Sequence, residues 1–212
     1  MGEHTTEARG VGGPIPSTPI SQKMVKLETK RLILRAPRIS DWKDIVEGIG
    51  DLEVSKTLAG VPYPYAKKDA IWWIKRKIKA WRKNKSENKE FVIELKSENK
   101  VIGATGLHKI DWNIGSANSG SWIARKYWRQ GFITEAKIAI NDWAFNKLKF
   151  QRLESRAFVV NTASNEMSKK YGYRFVGILK RVIKAKSTGK IHDENVYELL
   201  KEDWKKNRKK LV

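Results

Sequence analysis

The stretch Arg125–Ala136, RKYWRQGFITEA, sets a lone glycine directly before an apolar-periodic run. Beyond it, Ile133, Ala136, Ile140, Ala144 and Leu148 share one helical face of ITEAKIAINDWAFNKL, so a helix is predicted to start just after Gly131. The glycine then has two readings. It belongs to a plain surface loop, or it opens an anion socket. A helix N-terminus offers free N–H groups and roughly half a unit of positive charge, and a glycine lets a ligand approach the backbone closely or takes positive φ. Arg129 and Gln130 add donors. Neither GxxxxGK[ST] nor GxGxxG is present, so the socket is not a P-loop or a dinucleotide fingerprint. Taken alone, one glycine before a helix favours the loop.

Working outward, SGSWIA predicts a strand that runs into the stretch, and the helix is followed by an alternating strand, RLESRAFVV. A short helix, TASNEMSKKY, is stopped by Gly172. YRFVGILKRVIKA and IHDENVYELL then form a hairpin across KSTGK. On the N-terminal side, KLETKRLILRAP predicts a strand ending at Pro37, and ISDWKDIVEGIG a helix capped by Ser40 and closed near Gly48 or Gly50. EFVIELK and KVIGATGLHKID form a hairpin across SEN. The order of elements predicts an α/β fold with a mixed sheet.

Between these lies KKDAIWWIKRKIKAWRK, with Ile71, Ile74, Ile78 and Trp81 on one helical face. Ten Lys and Arg stand between Lys67 and Lys89 against Asp69 and Glu87 alone, so the other face is strongly basic. A solvated face is the simpler reading; a phosphate-binding face is the other. The whole chain of 212 residues carries a formal charge of +21, a field that concentrates anions or only keeps the surface soluble. It has no cysteine and three histidines, which excludes disulfides and thiolate chemistry and leaves little for a metal. No apolar run spans a bilayer and the first residues carry no apolar leader core, so a soluble, cytoplasmic protein without a membrane partner is expected. Residues 1–23, rich in Gly, Pro, Ser and Thr, read as a flexible tail; 24–205 read as one domain, and 206–212 as a basic end that frays with the rest of KEDWKKNRKKLV.

Read together and in order, strand–WRQGFITEA–helix, strand, NTASNEMSKKYGYRFVG and HDENVYELLKEDW resemble the GNAT superfamily of acetyl-CoA-dependent N-acetyltransferases. More narrowly they resemble the branch that acetylates ribosomal-protein N-termini, with LETKRLILRAP matching its opening strand and VIGATGLHKID its third. The resemblance covers about Val25 to Trp204. It implies a GNAT-like, mostly antiparallel sheet of about seven strands with flanking helices. It implies acetyl-CoA as co-substrate and no metal, and a monomer or homodimer. The acceptor is a protein N-terminus or, alternatively, a small amine such as a polyamine, amino acid or drug. A third alternative is a catalytically weak protein that associates with the ribosome or RNA through its basic surface.

Site residues carry over position by position. The family's pyrophosphate loop, Arg/Gln-x-x-Gly-x-Gly/Ala, aligns with Trp128, Arg129, Gln130, Gly131, Phe132 and Ile133, of which only the central glycine is kept. Main-chain amides from Arg129 through Thr134 are implied to hold the pyrophosphate. The strand around Trp122 and Ile123 is implied to pair with the pantetheine arm, and Asn161 to contact it. The acid that protonates the departing thiolate is a tyrosine in many members; that place is Ser168, while Ser164 fits the serine of the ribosomal-protein branch and is preferred, with Tyr171 as a third hydroxyl. The family's glutamate before the loop is replaced by Asn118, which takes no proton. The base is therefore expected at His108, since imidazole titrates near neutral pH, with Asp111 and Glu94 as fallbacks and His192 as hairpin packing.

Overall fold

The alternating stretches of the sequence build one sheet with a strand more than expected. The computed structural model describes residues 25–211, and the tail expected at residues 1–23 lies outside them. The strands are β1 (Leu27–Glu28), β2 (Leu32–Arg35), β3 (Lys89–Leu95), β4 (Lys100–Asp111), β5 (Ser116–Ile123), β6 (Arg152–Phe158), β7 (Arg174–Lys184) and β8 (Ile191–Leu200). They lie in the order β1-β2-β3-β4-β5-β6-β8-β7, and β5 beside β6 is the one parallel pair among the described residues. The eighth strand comes from KLETKRLILRAP. Instead of one strand it makes two, with Leu27 opposite Leu34, because the Thr29 amide donates to the Leu32 carbonyl and the Thr29 hydroxyl oxygen accepts the Leu32 amide, closing a turn.

The helices are α1 (Trp42–Ile49), α2 (Leu52–Ser55), α3 (Lys67–Arg82), α4 (Phe132–Asp142), α5 (Thr162–Lys170) and α6 (Lys201–Arg208). Ser40 does not cap α1. Residues Ile39–Asp41 form a 3-10 turn whose Asp41 carboxylate accepts the Arg38 amide at 2.6 Å, and α1 ends at Gly50. The same carboxylate takes a bidentate pair of bonds from Arg35, and Arg35 also donates to Glu94 at 2.6 Å. Among the described residues no helix is long and apolar enough to cross a membrane.

Two cores flank the sheet. Ile45, Ala70, Ile74 and Val92 pack between one face and α1–α3. The larger core on the other face lies under α4 and α6, where Phe91 stands edge-on to both Trp81 and Trp143. The predicted face of α4 is buried at Ala136, Ile140 and Ala144, although the last turn, Trp143–Lys147, widens to a π-helix. The C-terminal segment does not fray as its charge predicts. Helix α6 runs past the boundary expected after residue 205, because Trp204 is 1% exposed, stacks on Phe145 and donates to Asp142 at 2.9 Å. Burying one indole outweighs a run of exposed lysines.

Candidate active site

The glycine of the opening stretch sits at the N-cap of α4 with φ 77°, and Arg129, two residues earlier, has φ 60°. Two left-handed residues this close turn successive amides into an anion-binding concavity. Among the described residues no backbone carbonyl accepts from any amide between Arg129 and Thr134; the first to be used is Glu135, which donates to Gly131. Free amides at the positive end of an eleven-residue helix are what an anion socket needs. Gln130 donates to the Lys126 carbonyl and so shapes the loop from within.

The socket is braced by residues from far away in the chain. Glu135, in the first turn of α4, accepts from the Thr29 hydroxyl at 2.6 Å, the Arg31 amide at 2.8 Å and the Arg31 guanidinium at 2.7 Å. Arg31 also donates to the Gln130 carbonyl and lies 4.2 Å over the Phe132 ring. Burial works to raise the Glu135 pKa, but the Thr29 and Arg31 hydrogen bonds outweigh it and hold the carboxyl below its ordinary range. On the other side, the Tyr171 hydroxyl donates to the Thr134 hydroxyl at 3.2 Å.

Strand β5 leads into this socket and parts from β6 on the way. The two pair only at Ser116, Ala117 and Asn118, opposite Arg152, Leu153 and Glu154; past that apex the strands splay. The Ala124 amide donates to the Ile102 carbonyl. By the alternation of an antiparallel ladder, Trp122, Gly120 and Asn118 spend their main-chain groups on β4, while Ile123, Ser121 and Ser119 turn theirs to the gap. Of the two residues expected to pair with an extended ligand, Ile123 therefore faces the gap and Trp122 does not; the Trp122 ring packs against α1 at Gly48. Ile123 offers only its amide, because its carbonyl accepts from the Trp128 indole at 2.8 Å.

His108 lies opposite Asn118, beside the apex of the gap, on the face covered by α1 and α3. Its Nε2 is 3.2 Å from Oε2 of Glu90, which in turn holds the Lys77 ammonium at 3.1 Å. Glu90 is not marked out by the sequence, because β3 carries Lys89 and Glu94 as well and nothing local separates the two glutamates. The two fallback bases fail on geometry. Glu94 is consumed by Arg35, and Asp111 accepts the Asn113 and Ile114 amides in the turn after β4. Glu154, also passed over, stands across the apex from Asn118. Burial favours its neutral form, yet Arg156 and Arg152 overcome this and keep its pKa low.

Across the gap, α5 begins directly after β6. Asn161 is its N-cap, and its side-chain oxygen accepts the Ser164 amide at 3.2 Å. Ser164 is half-buried in the first turn. Ser168, expected as a possible acid, is 5% exposed, donates to the Ser164 carbonyl at 3.1 Å as helical serines commonly do, and has the Ser155 hydroxyl 3.5 Å away. Tyr171 is likewise buried against the socket's own first turn. Asn165 anchors the region by donating to the Phe158, Val159 and Asn161 carbonyls and accepting from Asn195 and Tyr197. His192 stacks on Phe158 at 4.2 Å, the hairpin packing predicted for it.

One further group was illegible beforehand. Lys137 of α4 is 5% exposed and donates to the Ser119 hydroxyl, and burial pushes its pKa down to about 8 against a partial pull upward from Glu90. A lysine in an amphipathic helix ordinarily reads as solvent-facing, so only the tertiary fold reveals it. Among the described residues no group of three or more His, Cys, Asp or Glu is placed to hold a metal ion.

Similarity to known proteins agrees with this geometry. The family model described as acetyltransferase (GNAT) domain matches residues 31–174. The chain is 29% identical over 183 residues to the uncharacterized N-acetyltransferase p20 of Bacillus licheniformis, covering 85% of this chain and 99% of that protein. Its fold is similar to that of RimL, a ribosomal L7/L12 alpha-N-protein acetyltransferase, with a TM-score of 0.73 at 18% identity over 89% of this chain and 99% of the other. It is also similar to the microcin C7 self-immunity acetyltransferase MccE, solved with acetyl-CoA and AMP, with a TM-score of 0.72 at 17% identity over 81% and 93% of the two chains.

Proposed function

This chain belongs to the acetyltransferase (GNAT) family, an acetyl-CoA-dependent acyltransferase, and on that premise we propose that it acetylates the N-terminal α-amine of a protein, a ribosomal protein in particular, in the cytoplasm. The observation that carries the reading is the run of unspent amides from Arg129 to Thr134 at the mouth of the β5–β6 gap. A diphosphate fits the socket, because Gly131 offers no side chain and a Cβ there would reach only Arg31 Nη2, at 3.4 Å. Arg129, Gln130, Gly131, Phe132, Ile133 and Thr134 would hold the diphosphate, the Ser121 and Ile123 main chains would pair with the extended arm, and Asn161 would face it from the N-cap of α5. Acetyl-CoA supplies an activated acetyl thioester.

The chain's own residues then manage protons. An α-amine has a pKa near 8 and a lysine near 10.4, so freeing the amine at pH 7 costs about 1.4 kcal/mol for the first and roughly 4.6 for the second. A modest base is sufficient for an N-terminus. His108 takes the amine's proton, directly or through water, and Glu90 stabilises the imidazolium that results. Ser164 returns a proton to the departing thiolate; of the three candidate hydroxyls, it is the one that neither Ser168's back-bond nor Tyr171's burial describes. The ribosomal-protein acceptor is supported by the sequence motifs of that branch and by the stated activity of the RimL neighbour.

An acceptor panel tests this. Peptides beginning with Ser, Ala or Met are compared with spermidine and free amino acids, acetyl-CoA turnover being followed for each. The proposal predicts turnover on a subset of the peptides at least tenfold above any small amine. A preference for a small amine would refute it.

A further inference from the structure

Helix α3 buries Ala70, Ile74 and Trp81 and leaves a second aromatic, Trp72, 58% exposed. A groove of about 560 Å³ runs beside it, lined by Trp72, Arg76, Lys79, Lys83 and Lys85 among others, with Glu87 as its one acid. Arg76, Lys79 and Lys83 recur every three or four residues, which places them along one face about 5 Å apart on the helix axis. Of the cations lining the groove, Lys77 alone among the described residues is in an ion pair, with Glu90. The others are left for something outside the chain. The Arg76 guanidinium lies 4.6 Å from the Trp72 ring centroid, so the aromatic surface and the charge form one patch.

We propose that this groove binds single-stranded RNA, its phosphates neutralised by Arg76, Lys79, Lys83 and Lys85 and a base stacked on Trp72. Apart from its contact with Arg76 the Trp72 indole is left to solvent, and every base has a face that stacks on such a ring, which makes the contact tolerant of sequence. An acidic polypeptide would use the cations and leave the ring unexplained. Double-stranded nucleic acid is disfavoured because the patch is a short helix face with no element placed to enter a groove. The preference for RNA over DNA rests on the proposed ribosomal-protein acceptor, which an enzyme meets beside RNA; the groove itself does not depend on that reading.

The test is fluorescence anisotropy of labelled twelve-nucleotide RNA and DNA strands with the full chain, at several salt concentrations. Four neutralised phosphates predict a slope of log K on log salt of about −3. Trp72→Ala should weaken binding about tenfold with that slope unchanged, and Lys79→Glu/Lys83→Glu should weaken it further and flatten the slope. Both variants should acetylate a free peptide as the parent does, so RNA binding can fail without the enzyme reading failing. Binding indifferent to both variants would overturn the proposal. Competition by polyglutamate at the concentration at which RNA competes would assign the face to an acidic protein, and DNA bound more tightly than RNA would remove RNA as its ligand.

Discussion

Arg31 and Glu135 lie 104 residues apart in the chain and form a 2.7 Å ion pair that ties the first hairpin to the first turn of α4. The turn proposed to present its amides to a diphosphate is therefore held from outside its own helix. Glu135→Ala should lower acetyl-CoA affinity about tenfold with little loss of fold. The pair also has a pH signature. The folded-state pKa of Glu135 lies below its ordinary value, so its stabilisation is present above the ordinary carboxylate range and is lost as pH falls through the depressed value. Melting temperatures of parent and variant should converge in acid; a gap that widens there would contradict the role.

Gly131 should be irreplaceable for a different reason. At φ 77° a β-branched side chain is strained whatever space surrounds it, and relief of the strain closes the cradle. Gly131→Val should abolish acetyl-CoA binding in a calorimetric titration while far-ultraviolet circular dichroism stays that of the parent. Normal binding by this variant would mean that the socket is misassigned.

These two positions show what sequence carries and what it does not. Gly131 and the apolar face of α4 are local, so spacing alone located the helix and the glycine at its head, while the socket reading came from the resemblance of the surrounding motifs. Glu90 and Glu94 are four residues apart on one strand and look alike in sequence. Only the fold separates them, by placing Arg35 against Glu94 and His108 against Glu90. Likewise the strand beside the gap was legible, but whether Trp122 or Ile123 turns its main chain outward depends on the register with β4. The eighth strand and the docked C-terminal helix were missed because a single turn at Thr29 and a single buried indole at Trp204 overrode the surrounding pattern.

His108 is expected to act as the base with Glu90 as its electrostatic partner. His108→Ala should reduce kcat/KM by about 100-fold, in the range of general-base catalysis, and remove the ascending limb of the pH–rate profile. Glu90→Gln should also lower kcat/KM, since the imidazolium formed at His108 then loses the carboxylate 3.2 Å away. An unchanged rate and profile for His108→Ala would end the assignment.

Lys137 carries a stability prediction. Its folded pKa of about 8 lies below the ordinary 10.5, so between those values the unfolded chain binds more protons and stability rises with pH. Below pH 8 the buried charge costs on the order of 3 kcal/mol. Lys137→Met should therefore be more stable than the parent at pH 7 by about 2 kcal/mol, after allowing for the lost bond to Ser119. Denaturant titrations should see that advantage shrink as pH approaches 10.5. A less stable variant at pH 7 would instead make the ammonium a net stabiliser.

The central claim concerns which amine receives the acetyl group. The most direct measurement uses one peptide with a free N-terminal serine and one internal lysine, incubated with enzyme and acetyl-CoA and mapped by tandem mass spectrometry. The account predicts one acetyl group, on the α-amine, and no product when that amine is blocked beforehand. Acetylation of the lysine at a comparable rate, or turnover of the blocked peptide, would contradict it.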